Sequence, residues 1–179
     1  MTSVNGSGCI DDGGAVVKNS PIAMTFHIVL IEPEIPPNTG SIARLCGATG
    51  AVLHLVGKLG FSIDNKHLKR AGLDYWDAVD VRQWRDLEEL KAAFPDGRFW
   101  YTSKKARKTY IQADFLPGDF MVFGKESFGL SEELLQNNED YSIRIPIHSP
   151  VVRSLNLSNA AGIVLFEALR QTGLLDEEN

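Results

Sequence analysis

The sequence predicts an α/β fold, a parallel sheet covered by helices. Two observations predict it. Short apolar runs alternate along the chain with segments that carry helix caps and stops. The runs are apolar on both faces, as strands buried under helices must be.

Residues 1–23 carry Gly6, Gly8, Gly13 and Gly14 among polar residues, which reads as a disordered N-terminal extension. The body is expected over 24–174 and an acidic tail over 175–179. Phe26 to Ile31 is a strand-type apolar run. The stiff Pro33–Asn38 loop follows, with Asn38 or Thr39 expected to cap a helix from Gly40 to Ala48 that Gly50 ends. Ala51 to Val56 is a second strand, a helix is expected near Asp64, and another runs from about Asp86 to Phe94. Phe99–Thr102 and Phe120–Phe123 read as buried strands, and Ser131 opens a short helix. A last strand spans Ser142–Ile147, and a final helix runs from about Asn156 to Thr172.

That final helix carries Ala160, Ala161, Ile163, Val164, Leu165, Phe166, Ala168 and Leu169, leaving almost no polar stripe. It is either a deeply buried core helix or one covered by the sheet on one side and a second subunit on the other. The second reading is favoured, so a homodimer is expected.

The formal net charge of −5 argues at first against an RNA partner. Setting aside Asp11, Asp12, Lys18, Asp176, Glu177 and Glu178 at the two ends leaves 17 basic and 18 acidic residues. A nearly neutral body binds a polyanion through a focused site and not a global field. Lys104, Lys105, Arg107 and Lys108 cluster after the Phe99–Thr102 strand; Lys69, Arg70 and Arg153 add to them, and Tyr75 and Trp76 are candidates for base stacking. A solvated surface is the plain alternative for the lysines, and core packing for the two aromatics. No apolar run approaches the about 18 residues of a membrane helix, and no signal peptide is recognisable, so a cytoplasmic location is expected. Cys9 and Cys46 form no disulfide framework, and no Cys/His cluster has metal-ligand spacing. His27 and His54 fall in strands, and none of the histidines reads as catalytic.

Three segments lie where strands give way to helices, the place where open α/β sheets bind ligands. They are Asn38-x-Gly40-x-x-x-Arg44, the block Phe123-Gly124-Lys125-Glu126-Ser127-Phe128-Gly129-Leu130, and Ser154-Leu155-Asn156-x-Ser158-x-Ala160. Singly, each also reads as a capped helix, a tight turn or an elaborate N-cap, with Ser154 the expected cap in the third. The second segment is neither a P-loop nor GxGxxG, which disfavours a nucleotide-binding oxidoreductase.

Together and in this order, the segments resemble the three motifs of the SPOUT superfamily, in its TrmH-like branch of RNA ribose 2′-O-methyltransferases. The stretches Leu30–Gly40 and Lys69–Tyr75 are similar to the small tRNA wobble-nucleotide enzymes of that branch. The resemblance covers Phe26 to Leu174 and implies a C-terminal trefoil knot, a dimer, and methyl transfer from S-adenosylmethionine to a ribose 2′-hydroxyl. S-adenosylhomocysteine is the implied product, no metal is implied, and the implied substrate is the wobble cytidine or modified uridine of tRNA. It assigns Arg44 to the reaction and Thr102, Gly124, Ile145 and Ser154 to the cofactor. Asn38, Gly40, Glu126, Gly129, Asn156 and Ser158 then support the loops. Enzymes of other tRNA positions or of rRNA share the motifs, and a non-catalytic RNA-binding protein of the same fold is the further alternative.

Overall fold

The computed structural model describes residues 25–61 and 79–175. The expected extension at 1–23, the helix near Asp64, the pair Lys69 and Arg70, Tyr75 and Trp76, and residues 176–179 of the tail lie outside the described residues.

Seven strands form one sheet: β1 (His27–Ile31), β2 (Val52–Val56), β3 (Val81–Trp84), β4 (Phe99–Thr102), β5 (Lys108–Thr109), β6 (Phe120–Phe123) and β7 (Ser142–Arg144). Their order is β3-β2-β1-β6-β4-β7-β5, and every pairing is parallel. Among the described residues, four α-helices accompany them: α1 (Pro36–Thr49), α2 (Leu87–Ala93), α3 (Glu132–Gln136) and α4 (Leu157–Gln171). The late strand β7 is seated between β4 and β5, the placement a threaded C-terminal segment would need.

Strand alternation divides the core in two. Leu53, Ile28, Met121 and Trp100 lie in register across the sheet and pack under α1 and α4 with Ile42, Cys46, Val164 and Leu165. Val29, Val122 and Tyr101 make the row on the opposite face, joined by Leu90 of α2. Fully burying such a side chain contributes about 1.5–3 kcal/mol, so these two layers dominate stability. The free thiol of Cys46 is inside the first layer, where burial pushes its pKa up to about 12.

The strands β3 and β5 have no counterpart in the sequence reading. β3 is an edge strand carrying Arg82 and Gln83, so it lacks a double-sided apolar run, and β5 is two residues long. The last strand ends at Arg144 and not at Ile147. In α4, Ala161, Val164, Leu165, Ala168 and Leu169 are buried, while Phe166 stays 48% exposed. The apolar excess of that helix is thus part core and part outward face. Among the described residues, no helix is long and apolar enough to cross a membrane.

His27 and His54 are buried core residues. The Trp84 indole N–H donates to His54 Nδ1 at 2.9 Å, and His54 Nε2 lies 2.9 Å from His27 Nδ1. An indole can only donate, so His54 carries its proton on Nε2 and passes a hydrogen bond to His27. The remaining His27 proton then sits on Nε2, which is buried without a partner, while the His27 ring stacks on Phe120 with centroids 4.1 Å apart. Burial, and then the nearby Arg82 charge, lower His27 to about 4; burial, His27 and Arg82 hold His54 well below its ordinary value.

Below about pH 6.5 the unfolded chain binds protons that the folded one refuses, so stability falls as pH is lowered from 6.5 toward 4. His27 alone should remove roughly 2 kcal/mol by pH 5, above the range where carboxylates protonate. Urea unfolding at pH 7, 6 and 5 measures this loss; a His27→Gln variant as pH-sensitive as the parent would refute the assignment.

Candidate active site

The three motif segments meet at the carboxyl ends of β1, β4, β6 and β7, around a cavity of about 440 Å³. Drug-sized ligands occupy pockets of this scale. Each segment is placed by a different local rule.

The start of α1 corrects the expected cap. The helix begins at Pro36 with Ile35 as its N-cap residue, and Ile35 offers no side-chain hydrogen bond. Prolines are tolerated in a first turn because the N–H groups they lack have no helical partner there. Asn38 is therefore inside the helix, buried, with its side chain turned away from the backbone it was expected to cap. Glu126 supplies the cap from the second segment. Its carboxylate accepts from the backbone N–H of Glu34 at 2.9 Å, from that of Ile35 at 3.3 Å and from Asn38 Nδ2 at 2.9 Å. Negative charge at a helix N-terminus is also favoured by the helix dipole.

Asn38 Oδ1 accepts from Asn156 Nδ2 at 2.9 Å, which ties in the third segment. Asn156, and not Ser154, is the N-cap of α4; its Oδ1 accepts from the N–H groups of Ser158 and Asn159 and from the Ser158 hydroxyl. One chain of hydrogen bonds thus runs from Glu126 through Asn38 and Asn156 to Ser158. Glu34 returns the contact by accepting from the Ser127 N–H at 3.0 Å, and hydrogen bonding from Ser127 holds its carboxyl below the usual range.

The second segment folds over the end of β6. Gly129 N–H donates to the Lys125 carbonyl at 2.8 Å, with Gly129 in the left-handed region at φ 72°. A Cβ built on Gly124 would lie 2.2 Å from the Gly129 carbonyl carbon, so only glycine lets the loop cross there. The close approach that the sequence anticipates at this glycine is therefore made by the loop's own backbone.

Thr102, Gly124, Ile145 and Ser154 all line the cavity, together with Asn38, Glu126, Gly129 and Asn156. The Thr102 hydroxyl is buried with no hydrogen-bond partner, a polar atom left for a ligand. Apolar walls come from Phe123, Leu130 and Leu157. A ligand with a flat apolar ring and a few polar edges fits this lining, and S-adenosylmethionine is such a group. Arg44, Gly40 and Ser158 are not among the lining residues; Arg44 is on an exposed part of α1 and Gly40 is buried in it.

The basic residues divide. Lys104 and Lys105 line the cavity, with Lys105 ion-paired to Glu132. Arg107 pairs with Glu139 at 3.0 Å, Lys108 donates to the Asp140 carbonyl at 2.9 Å, and Arg153 is exposed beside Ser154. Sequence reasoning missed Lys125 and Phe128 as parts of the rim. Lys125 pairs with Glu32, and Phe128 is 89% exposed. The available signal was a large apolar residue inside a glycine-bounded loop.

A cavity built by loops at the carboxyl rim of a parallel sheet defines a ligand-binding α/β protein. The match to the SpoU rRNA Methylase family over residues 25–166 is more specific, and the chain belongs to that family. A *Burkholderia cenocepacia* (strain HI2424) relative named tRNA (cytidine(34)-2′-O)-methyltransferase is 45% identical, with 83% of this chain and 96% of that one covered. A *Bacillus subtilis* (strain 168) relative provisionally given the same name is 49% identical over 86% of this chain and 97% of its own. A solved structure described as giving insights into 2-OH methylation of C/U34 on tRNA superimposes with a TM-score of 0.77 at 42% identity, covering 83% and 96%. The SpoU methyltransferase AviRb of *Streptomyces viridochromogenes*, solved with AdoMet, superimposes with a TM-score of 0.72 at 25% identity, covering 84% of this chain and 62% of that one.

An Asn38→Asp variant keeps the acceptor for Asn156 but removes the donor to Glu126 and sets two carboxylates together. It should cost about 1–3 kcal/mol, read as a lower denaturant midpoint at neutral pH. A midpoint equal to the parent's would show that the Asn38–Glu126 bond does not form in solution.

Proposed function

We propose that this chain transfers a methyl group from S-adenosylmethionine to the ribose 2′-hydroxyl of the wobble nucleotide, cytidine or a modified uridine, in the tRNA anticodon loop. The observation that carries the reading is the convergence of three loops on one cavity that holds the orphaned Thr102 hydroxyl. The relatives named for this activity match nearly the whole of their own length, which favours the compact tRNA enzyme. AviRb, of which this chain covers 62%, is the longer kind of relative.

When bound, S-adenosylmethionine supplies an electrophilic methyl group on a sulfonium. Thr102, Gly124, Ile145 and Ser154 would hold it, with loop backbone and the Thr102 hydroxyl meeting its polar edges. The acceptor hydroxyl is a weak nucleophile while protonated, so the protein must fix the ribose and stabilise charge as it develops on the oxygen. A guanidinium stays protonated at neutral pH, which makes Arg44 a reluctant base. Its role is to grip the flanking phosphate in a bidentate way and stabilise the developing alkoxide, with water or phosphate sharing the proton. Asn38, Glu126 and Asn156 use their hydrogen-bonding capacity on one another and on backbone, which suits loop positioning.

The homodimer belongs to the same reading. Arg44 is outside the lining of its own subunit's cavity, and α4 beside α1 shows the exposed Phe166. Pairing two copies through these helices covers that ring and lets Arg44 serve a neighbouring cavity. A tRNA substrate is in keeping with a cytoplasmic location.

Labelled S-adenosylmethionine and total tRNA, followed by mapping of the methylated nucleotide, test the proposal; label at position 34 supports it and none in tRNA refutes it. Arg44→Lys should lower turnover about a hundredfold, and near-normal turnover would end the bidentate role. Replacing Lys104 and Lys105 by Gln should flatten the salt dependence of tRNA binding by about 1.4–1.8 logarithmic units per decade; an unchanged slope takes that loop out of the interface.

A further inference from the structure

The proposed reaction needs an unpaired nucleotide held at the cavity mouth, and the structure offers an unused group there. Phe128 lines the cavity yet is 89% exposed, among the most exposed large apolar side chains of the described residues. A single exposed apolar side chain is ordinary by itself; what sets Phe128 apart is its place on the cavity lining, on a segment held at both ends.

The segment that carries it is held on both sides. Glu126 is fixed by the backbone of Glu34 and Ile35 and by Asn38, and Ser127 N–H is fixed by Glu34. On the other side Gly129 is closed onto Lys125 by its hydrogen bond and bridge, and crosses Gly124 at a distance no side chain would permit. The ring therefore projects from a preorganised turn, which lowers the entropy lost when something stacks on it. Three lysines line the same cavity: Lys104, Lys105, which pairs with Glu132, and Lys125, which pairs with Glu32. An exposed aromatic among lysines is the combination that binds single-stranded nucleic acid, the ring taking a base face and the lysines the phosphates.

Resting on the methyltransfer reading above, we infer that Phe128 is the stacking platform for the unpaired base of the acceptor nucleotide. A ribose presented at the mouth carries its base at the rim, where the ring stands. Stacking tolerates any base, so Phe128 selects for an extruded, unpaired nucleotide and leaves base identity to other groups.

The test uses the full chain, S-adenosylmethionine and an anticodon stem-loop RNA, with a second RNA whose acceptor nucleotide is abasic. Phe128→Ala should raise KM for the RNA on the order of tenfold, with unchanged S-adenosylmethionine affinity, melting temperature and sedimentation. Phe128→Tyr should retain the parent KM, and Phe128→Leu should behave like Ala, which separates stacking from apolar contact. The abasic RNA should raise KM for the parent but add little to the Ala variant, since the same contact is already gone. Parent-like KM in the Ala variant, rescue by Leu, additive effects of abasic RNA and Ala, or a changed sedimentation coefficient would each overturn the inference while the methyltransfer reading stood. Failure of the parent protein to methylate the intact RNA would overturn both.

Discussion

The site depends on the Glu126 carboxylate. Two consecutive prolines set the direction of α1 but leave it without a local side-chain cap, and Ile35 cannot supply one. Glu126 reaches across roughly ninety residues of sequence to do so, taking two backbone N–H groups and the Asn38 amide. A carboxylate accepting from N–H donors is among the stronger hydrogen-bonding arrangements available to a protein. Because Asn38 is shared with Asn156, the same carboxylate indirectly orients the start of α4. Three loops from distant parts of the chain thus take one mutual geometry, and the cavity is the space they enclose.

Magnitudes separate what holds the molecule from what shapes the site. Each fully buried Leu, Ile or Phe contributes about 1.5–3 kcal/mol, and the two faces of the sheet bury many of them. A hydrogen bond nets only about 0.5–1.5 kcal/mol, rising to about 1.5–3 when one group is charged. The polar chain through Asn38 is therefore small beside the core. Its directionality gives it a different effect. Apolar packing tolerates sliding, whereas bonds of 2.9 Å with fixed donors do not. The glycine crossing at 124 and 129 adds steric exclusion, since any side chain at 124 would run into the backbone of Gly129 and Leu130.

These contributions explain what could be read from sequence. The strands β1, β2, β4 and β6 were legible because double-sided burial writes itself as a continuous apolar run, and α4 because its buried residues recur at helical spacing. β3 was not, since an edge strand half in water can carry Arg82 and Gln83. The cap of α1 escapes the sequence for a physical reason. Local rules look for a capping side chain within the turn, and here it arrives from Glu126 through tertiary structure. The same rule points to Ser154, two residues before the Asn156 that performs the capping. The four expected cofactor residues do meet at one cavity, yet Gly124 is required by its own loop, a contact invisible without coordinates. Phe128 is not legible in the sequence because an apolar residue next to a glycine reads as buried, whereas the fold leaves it exposed.

The near-neutral body also takes on meaning at the site. Lys105 is paired with Glu132 and Arg107 with Glu139 at exposed positions, and Lys125 with Glu32 at a half-exposed one. Exposed pairs contribute little stability, with a median near 0–1 kcal/mol. They leave the cations placed but readily exchanged. Under the proposed reading, a phosphate arriving at the rim would replace a carboxylate partner, so each contact would return less than the full attraction between phosphate and a lone cation. Binding built this way would be weak for duplex or random strand, because the electrostatic gain is partly offset at every contact. On that reading, discrimination would come from contacts that do not trade one charge for another, namely shape, an unpaired base and the fit of a single ribose to the cavity mouth. A preorganised set of loops fixed by Glu126 is what such discrimination requires.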